Sequence, residues 1–198
     1  MSRVVIVHGW GGDSESDWIP WLKAELVSRG VNAVAPDMPN TDAPKIEEWV
    51  HFLSDLVKEA DRDLFFVGHS IGCQTILRYL QTLPEGVRIG GAVFVAGWTR
   101  LTGMTEEEKP IAVPWETTPI DWQKASSHSE SFVAIYSDDD PYVPVENSQV
   151  FKEKLNAKLV LDSGRGHFTD DEDDVTQLPT ARDELLVIMG LPVETTLI

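Results

Sequence analysis

Gly68, Ser70 and Gly72 spell G-x-S-x-G inside the stretch Leu64-Phe65-Phe66-Val67-Gly68-His69-Ser70-Ile71-Gly72-Cys73. The pattern follows an apolar strand and opens an amphipathic helix, the setting in which a serine is held on a sharp turn. A nucleophile there must adopt strained backbone angles. Glycines two residues to either side remove Cβ atoms that would strike the neighbouring strand and helix. The predicted chemistry is attack by Ser70 Oγ on a carbonyl carbon. The helix N-terminus presents free N–H groups and a positive dipole end to the developing oxyanion. One oxyanion donor is then the backbone N–H of Ile71. The second is the N–H of Trp10, in the glycine-rich loop His8-Gly9-Trp10-Gly11-Gly12 after the first strand. A nucleotide loop would need G-x-G-x-x-G spacing or a Walker lysine, and neither is present.

A serine nucleophile needs a general base, and the base needs an orienting carboxylate. Five histidines are available. His8 and His69 sit beside glycines in the two oxyanion-forming turns and read as structural. His51 lies on the second helix, and His128 precedes a strand instead of following one. His167 alone lies after a late strand in a glycine-rich turn, Asp162-Ser163-Gly164-Arg165-Gly166-His167-Phe168, and is the predicted base. The fifth strand runs into three adjacent aspartates, Asp138, Asp139 and Asp140. Residue type alone leaves the acid open among them; the others either cap the next helix or are solvated.

These groups need elements to carry them. Short apolar runs at Val4–His8, Asn32–Ala35, Leu64–Val67, Gly90–Ala96, Phe132–Tyr136 and Lys158–Leu161 read as six strands. Helical stripes fall between them. They begin with Trp18, Trp21, Leu22 and Leu26, closed by Gly30, and continue with Ile46 to Val57, for which Asp42 is the expected N-cap. Others follow Ser70, near Val145–Leu155 and near Thr180–Met189. Strand–helix alternation over the whole chain predicts a parallel sheet with helices on both faces. The one break, Trp98 to about Ser127, holds three prolines and three tryptophans with weak helical periodicity. It reads as a long connection or a minimal cap.

At 198 residues the chain is expected to form a single domain spanning 1–198. The net charge is −17, and phosphate binding needs clustered cations, so nucleic acid and anionic membranes are not expected partners. Cys73 is the only cysteine, which excludes an intrachain disulfide and a cysteine-based zinc site; it reads as a small core residue. The run Asp170-Asp171-Glu172-Asp173-Asp174 lacks the alternation and glycine of a calcium loop and reads as a solvated acidic loop. The apolar start is too short for a signal peptide, and no stretch spans a membrane, so a cytoplasmic protein is expected. The acidic runs flank both post-strand loops. Their field should favour the imidazolium form of His167 and turn anionic substrates away.

Together these residues resemble the α/β-hydrolase superfamily. More closely, the chain is similar to the small serine hydrolases related to retinoblastoma-binding protein nine and the bacterial YdeN-type proteins. The likeness runs over nearly the whole chain. It rests on Val7-His8-Gly9-Trp10-Gly11-Gly12, Trp18-Ile19-Pro20-Trp21-Leu22, Asp37-Met38-Pro39-Asn40, the elbow, Asp139-Asp140-Pro141 and Gly166-His167-Phe168. Asp140-Pro141-Tyr142-Val143-Pro144 matches the D-x-x-V-P pattern of α/β-hydrolases, which favours Asp140 as the acid. By this resemblance the triad is Ser70, Asp140 and His167. The fold is a shortened α/β-hydrolase with strand order 2-1-3-4-5-6, all parallel, and with little lid. The retinoblastoma-binding motif Leu-x-Cys-x-Glu is absent, so that partner is not carried over. The expected function is a serine hydrolase acting on small to medium carboxylic esters through an acyl-enzyme, with no metal or organic cofactor. The same triad serves an amidase or thioesterase, and an idle interaction protein is the third reading. The sequence sets no oligomeric state.

Overall fold

The computed structural model of the chain describes residues 2–193. Six strands form one parallel sheet: β1 (Arg3–Val7), β2 (Asn32–Val34), β3 (Leu64–His69), β4 (Gly91–Val95), β5 (Phe132–Tyr136) and β6 (Lys158–Leu161). Their spatial order is β2-β1-β3-β4-β5-β6, the order the resemblance implies. β1, β3, β4 and β5 are apolar without alternation because helices cover both faces, and their residues are almost all buried.

Eight helices fall in the described residues: α1 (Ile19–Ser28), α2 (Ile46–Val57), α3 (Ile71–Leu80), α4 (Lys109–Thr117), α5 (Trp122–Ser126), α6 (Asn147–Leu155), α7 (Asp170–Asp173) and α8 (Pro179–Met189). α1 and α8 pack together against β2, β3 and β4, while α2, α3, α5 and α6 form a contiguous second layer. No helix among the described residues is long and apolar enough to cross a membrane.

Three local expectations change. Asp42 does not cap α2. The helix starts after Lys45, which makes no side-chain cap bond. The chain at 40–43 instead closes a turn from the Ala43 N–H to the Asn40 carbonyl, and the Asp42 carbonyl accepts the Trp10 indole N–H at 3.0 Å. The connection after β4 contains two short helices, α4 and α5. Weak periodicity hid them because α4 carries Pro114 inside it and rests on tertiary contacts. The acidic run at 170–174 is a one-turn helix, not a loop.

Where α4 meets α3, a burial problem is solved by Arg78, alongside the bond from the Trp115 indole N–H to the Pro44 carbonyl at 3.0 Å. Arg78 on α3 is 1% exposed and donates to the carbonyls of Trp115 and Thr118 at 3.0 and 2.8 Å and to Gln74 Oε1 at 3.0 Å. Its guanidinium also lies over the Trp115 ring. Burial pulls its pKa down to about 10, still charged at neutral pH. The helix after the elbow thus satisfies carbonyls at the C-terminal end of α4, which have no partner within that helix.

The register sets the site. Val7 pairs with Gly68, and His69 pairs with Val95, so β1, β3 and β4 end side by side. The loops that follow them meet at the carboxyl edge of the sheet, where open α/β sheets bind ligands.

Candidate active site

Ser70 stands between β3 and α3 with φ 51° and ψ −117°, a conformation rare for any L-residue. Its own N–H donates to the Val95 carbonyl at 2.9 Å, which locks the turn to β4. The elbow glycines have steric reasons. A Cβ on Gly72 would lie 2.3 Å from the Val7 carbonyl oxygen, and one on Gly68 would lie 2.8 Å from the Cys73 nitrogen. Both distances are impossible for a real side chain, so the helix can press onto β1 and β3 only with glycine there. Cys73 packs under the same turn. It is buried, donates to the Gly68 carbonyl at 3.2 Å, and burial pushes its thiol pKa up, so it stays a neutral core residue.

Ser70 and His167 line one cavity of about 460 Å³. His167 Nδ1 lies 2.8 Å from Asp140 Oδ2. A carboxylate only accepts, so this contact puts the imidazole proton on Nδ1 and leaves Nε2 as the basic nitrogen. The three aspartates have three different attachments. Asp140 Oδ1 accepts the N–H groups of Tyr142 and Val143, both at 2.9 Å, which aims its other oxygen at His167. Asp138 accepts the Gly164 N–H at 3.0 Å. Asp139 accepts the Ser137 hydroxyl and the Gly166 N–H, and these bonds hold its carboxyl below the ordinary range. Asp138 and Asp139 therefore cap no helix; both are exposed, as the solvated reading has it, and also hydrogen-bonded. They staple the loop after β5 to the loop after β6.

The His167 backbone is held at both ends. Its N–H donates to Asp173 Oδ2 at 2.9 Å, and the same oxygen accepts the N–H and hydroxyl of Thr169. Gly166 has φ +51°, and a Cβ there would overlap the Asp173 carboxylate. One residue of the acidic run is thus a structural cap for the histidine loop. The His167 carbonyl accepts from His69 Nε2 at 2.8 Å.

Among the five histidines only His69 and His167 reach the cavity. His8 is buried, with Nε2 accepting the Met38 N–H and Nδ1 bonded to the Gly9 carbonyl; burial lowers its pKa, and it serves as a neutral loop tie. His51 is exposed beside Asp55. His128 is buried against the Val87 carbonyl, at the amino end of β5. Trp10 lines the cavity from the first loop, and Ile71 is the first residue of α3. Leu101, Met104 and Glu108 reach the cavity from the connection after β4, so that segment supplies one wall.

Sequence reasoning missed Trp98. Its indole N–H donates to Ser70 Oγ at 3.2 Å from a position that is 1% exposed. A tryptophan three residues past the end of a strand carries no signal of this; only the β3–β4 register places it behind the serine. By taking a lone pair of Oγ, it leaves the hydroxyl proton free to point elsewhere. The Trp98→Phe variant keeps the ring bulk and removes the donor. We expect kcat to fall about three- to tenfold, the worth of one neutral hydrogen bond, with KM within about twofold, measured by steady-state kinetics.

The carboxylates of Asp17, Asp170 and Asp171 converge within 4.8 Å at the cavity rim. Asp170 and Asp171 are exposed, and Asp17 already accepts the Asp170 N–H at 3.0 Å and faces His69. That grouping is an acidic rim with its least exposed member already engaged.

A strained serine elbow over a parallel sheet of this order defines the molecule as an α/β-hydrolase. A family model described as serine hydrolase matches residues 4–186. The chain is 32% identical over 183 residues to YdeN of Bacillus subtilis (strain 168), covering 92% of this chain and 94% of that one. It is 26% identical over 174 residues to serine hydrolase RBBP9 of Rattus norvegicus, covering 86% and 89%. The crystal structure of the ydeN gene product from B. subtilis superposes with a TM-score of 0.87 and covers 96% of this chain and 100% of that chain. The fold also matches Est1E from Butyrivibrio proteoclasticus at a TM-score of 0.71 and 19% identity, covering 96% and 88%. The chain belongs to the serine hydrolase family, and it is an enzyme of that class.

Proposed function

We propose that the protein hydrolyses small to medium carboxylic esters through Ser70, His167 and Asp140. The observation that carries this reading is the 2.8 Å contact between His167 Nδ1 and Asp140 Oδ2, made beside a cavity that Ser70 also lines. Ser70 Oγ attacks the ester carbonyl carbon while His167 Nε2 takes its proton. The tetrahedral intermediate collapses, and His167 returns that proton to the departing alkoxide, leaving an acyl-serine. Water, deprotonated by the same nitrogen, then releases the acid and restores Ser70. Asp140 orients the ring and stabilises the imidazolium in both halves. The backbone N–H groups of Trp10 and Ile71 hold the oxyanion, each worth about 3–4 kcal/mol in the transition state.

The enzyme needs no metal or cofactor for these steps, and the proposed setting is cytoplasmic with a small-molecule ester as partner. A fluorophosphonate probe followed by peptide mapping tests the nucleophile. Label on the peptide carrying Ser70 supports the reading; label elsewhere, or none on folded protein, overturns it. A panel of matched ester, thioester and anilide substrates should rank the ester highest in kcat/KM.

A further inference from the structure

His69 has no part in the proton transfers above, yet it is 2% exposed and touches the catalytic loop. Its Nε2 lies 2.8 Å from the His167 carbonyl oxygen, and its Nδ1 lies 3.4 Å from Asp17 Oδ2. A carbonyl and a carboxylate both only accept. A neutral imidazole could donate to one of them, and its remaining lone pair would then face the other oxygen in a buried site. Nδ1 makes no hydrogen bond at that distance, and a ring carrying both protons would donate to the carbonyl and place a compensating charge beside the Asp17 carboxylate.

We propose that the buried His69 and the half-buried Asp17 form an imidazolium–carboxylate pair that positions the catalytic histidine and sets the charge beside it. The proposal rests on the Ser70–His167 reading for its kinetic consequence.

The surroundings agree. Burial works against the charged His69 ring, but the nearby Asp17 carboxylate, the His167 carbonyl and the Asp140 charge outweigh it and raise the pKa. Burial likewise works to raise the Asp17 carboxyl, but His69 outweighs it and holds the carboxyl below its ordinary value. Trp18 closes the site with its ring edge-on to His69 at 5.8 Å. Asp17 also accepts the Asp170 N–H at 3.0 Å, at the start of α7. The pair therefore fastens the loop after β6 to the elbow and to the loop after β1, independently of Asp140.

The two histidine rings are 5.1 Å apart between centroids. A positive ring at that distance repels positive charge on its neighbour. It counters the acidic field that the sequence places around the site. The charged or titratable groups facing His69 are Asp17 from the β1–α1 loop, Asp140 from the loop after β5, His167 from the loop after β6, and His8 at the end of β1.

The test uses His69→Gln, Asp17→Asn and the double variant. Glutamine can still donate to the His167 carbonyl but carries no charge, and it leaves the Asp17 carboxylate uncompensated. The acid limb of kcat/KM should move up by about one pH unit in His69→Gln. It should return to within about 0.3 unit of wild type in the double variant, where both charges are gone. A role limited to packing would lower the rate equally at every pH and leave the limb in place, and that result overturns the proposal. Should His69→Gln fail to fold, nitrogen-15 NMR of the native protein decides. Both ring nitrogens of His69 protonated at neutral pH, with that state lost in Asp17→Asn, supports the pair; a neutral ring overturns it. A wild type that takes no fluorophosphonate label overturns the catalytic reading instead, and the ring nitrogens then judge the pair alone.

Discussion

Ser70→Ala should lower kcat for ester hydrolysis by about a millionfold, the loss typical when the nucleophile of such a triad is removed. The other hydroxyls lining the cavity are engaged elsewhere: Ser16 donates to Asp13, Thr169 to Asp173 and Tyr142 to Glu172. Cys73 is buried beneath the turn and held neutral. The rate that remains, about a thousandfold above water, would come from the oxyanion donors and substrate positioning. The fold should survive. Alanine keeps the Cβ, and the lock from the Ser70 N–H to the Val95 carbonyl is main chain. The one local loss is the partner of the Trp98 indole N–H, which is left buried and costs about 1–3 kcal/mol. Circular dichroism and a thermal melt beside the rate measurement separate these effects. A rate within tenfold of wild type in folded protein would rule out Ser70 as nucleophile.

Asp140→Asn should lower kcat by about ten thousandfold, as loss of the correct histidine tautomer does in such triads. Asparagine can keep the oxygen that accepts the Tyr142 and Val143 N–H groups. Its amide nitrogen then faces His167 Nδ1 at the 2.8 Å contact, donor against donor. The ring relieves this by moving its proton to Nε2, where it can no longer accept from Ser70. Asp138→Asn and Asp139→Asn each retain an oxygen for the loop N–H groups. Their rates should stay within about threefold of wild type, the scale of one weakened exposed hydrogen bond. Equal losses in all three variants would mean that net charge, not tautomer control, matters at this loop.

The parts of the site legible in the sequence are those made by near neighbours. Gly68 is required by Cys73 and Ile76 in the helix that directly follows it, and Gly72, which clears Val7 across the sheet, is legible only because it completes the same five-residue pattern. His167 stood out because a histidine in a glycine-rich turn after a late strand is local information too. The strands were readable because burial on both faces removes polar residues from β1, β3, β4 and β5. The expected Asp42 cap failed for the opposite reason. Its main chain was drawn into a turn and into a bond with Trp10, thirty-two residues away.

The remaining assignments turn on how distant loops meet. Residue type left Asp138, Asp139 and Asp140 equivalent; only the meeting of the β5 and β6 loops gives each a separate partner. Trp98 reaches Ser70 because β4 lies beside β3, and Arg78 reaches α4 because that segment folds back over α3. His69, read from its neighbours as a turn residue, gains its charge only from Asp17, fifty-two positions earlier. The sequence alone determined the serine hydrolase class, the elbow motif around Ser70 and the parallel sheet that carries it, since hydrophobic periodicity and the elbow pattern are written in consecutive residues. Tertiary structure supplied the contact between His167 and Asp140, which the motif after β5 had favoured, and the buried groups packed against that loop. Hydrogen bonding and Coulomb attraction act over a few ångströms in space, and adjacency along the chain does not report that distance.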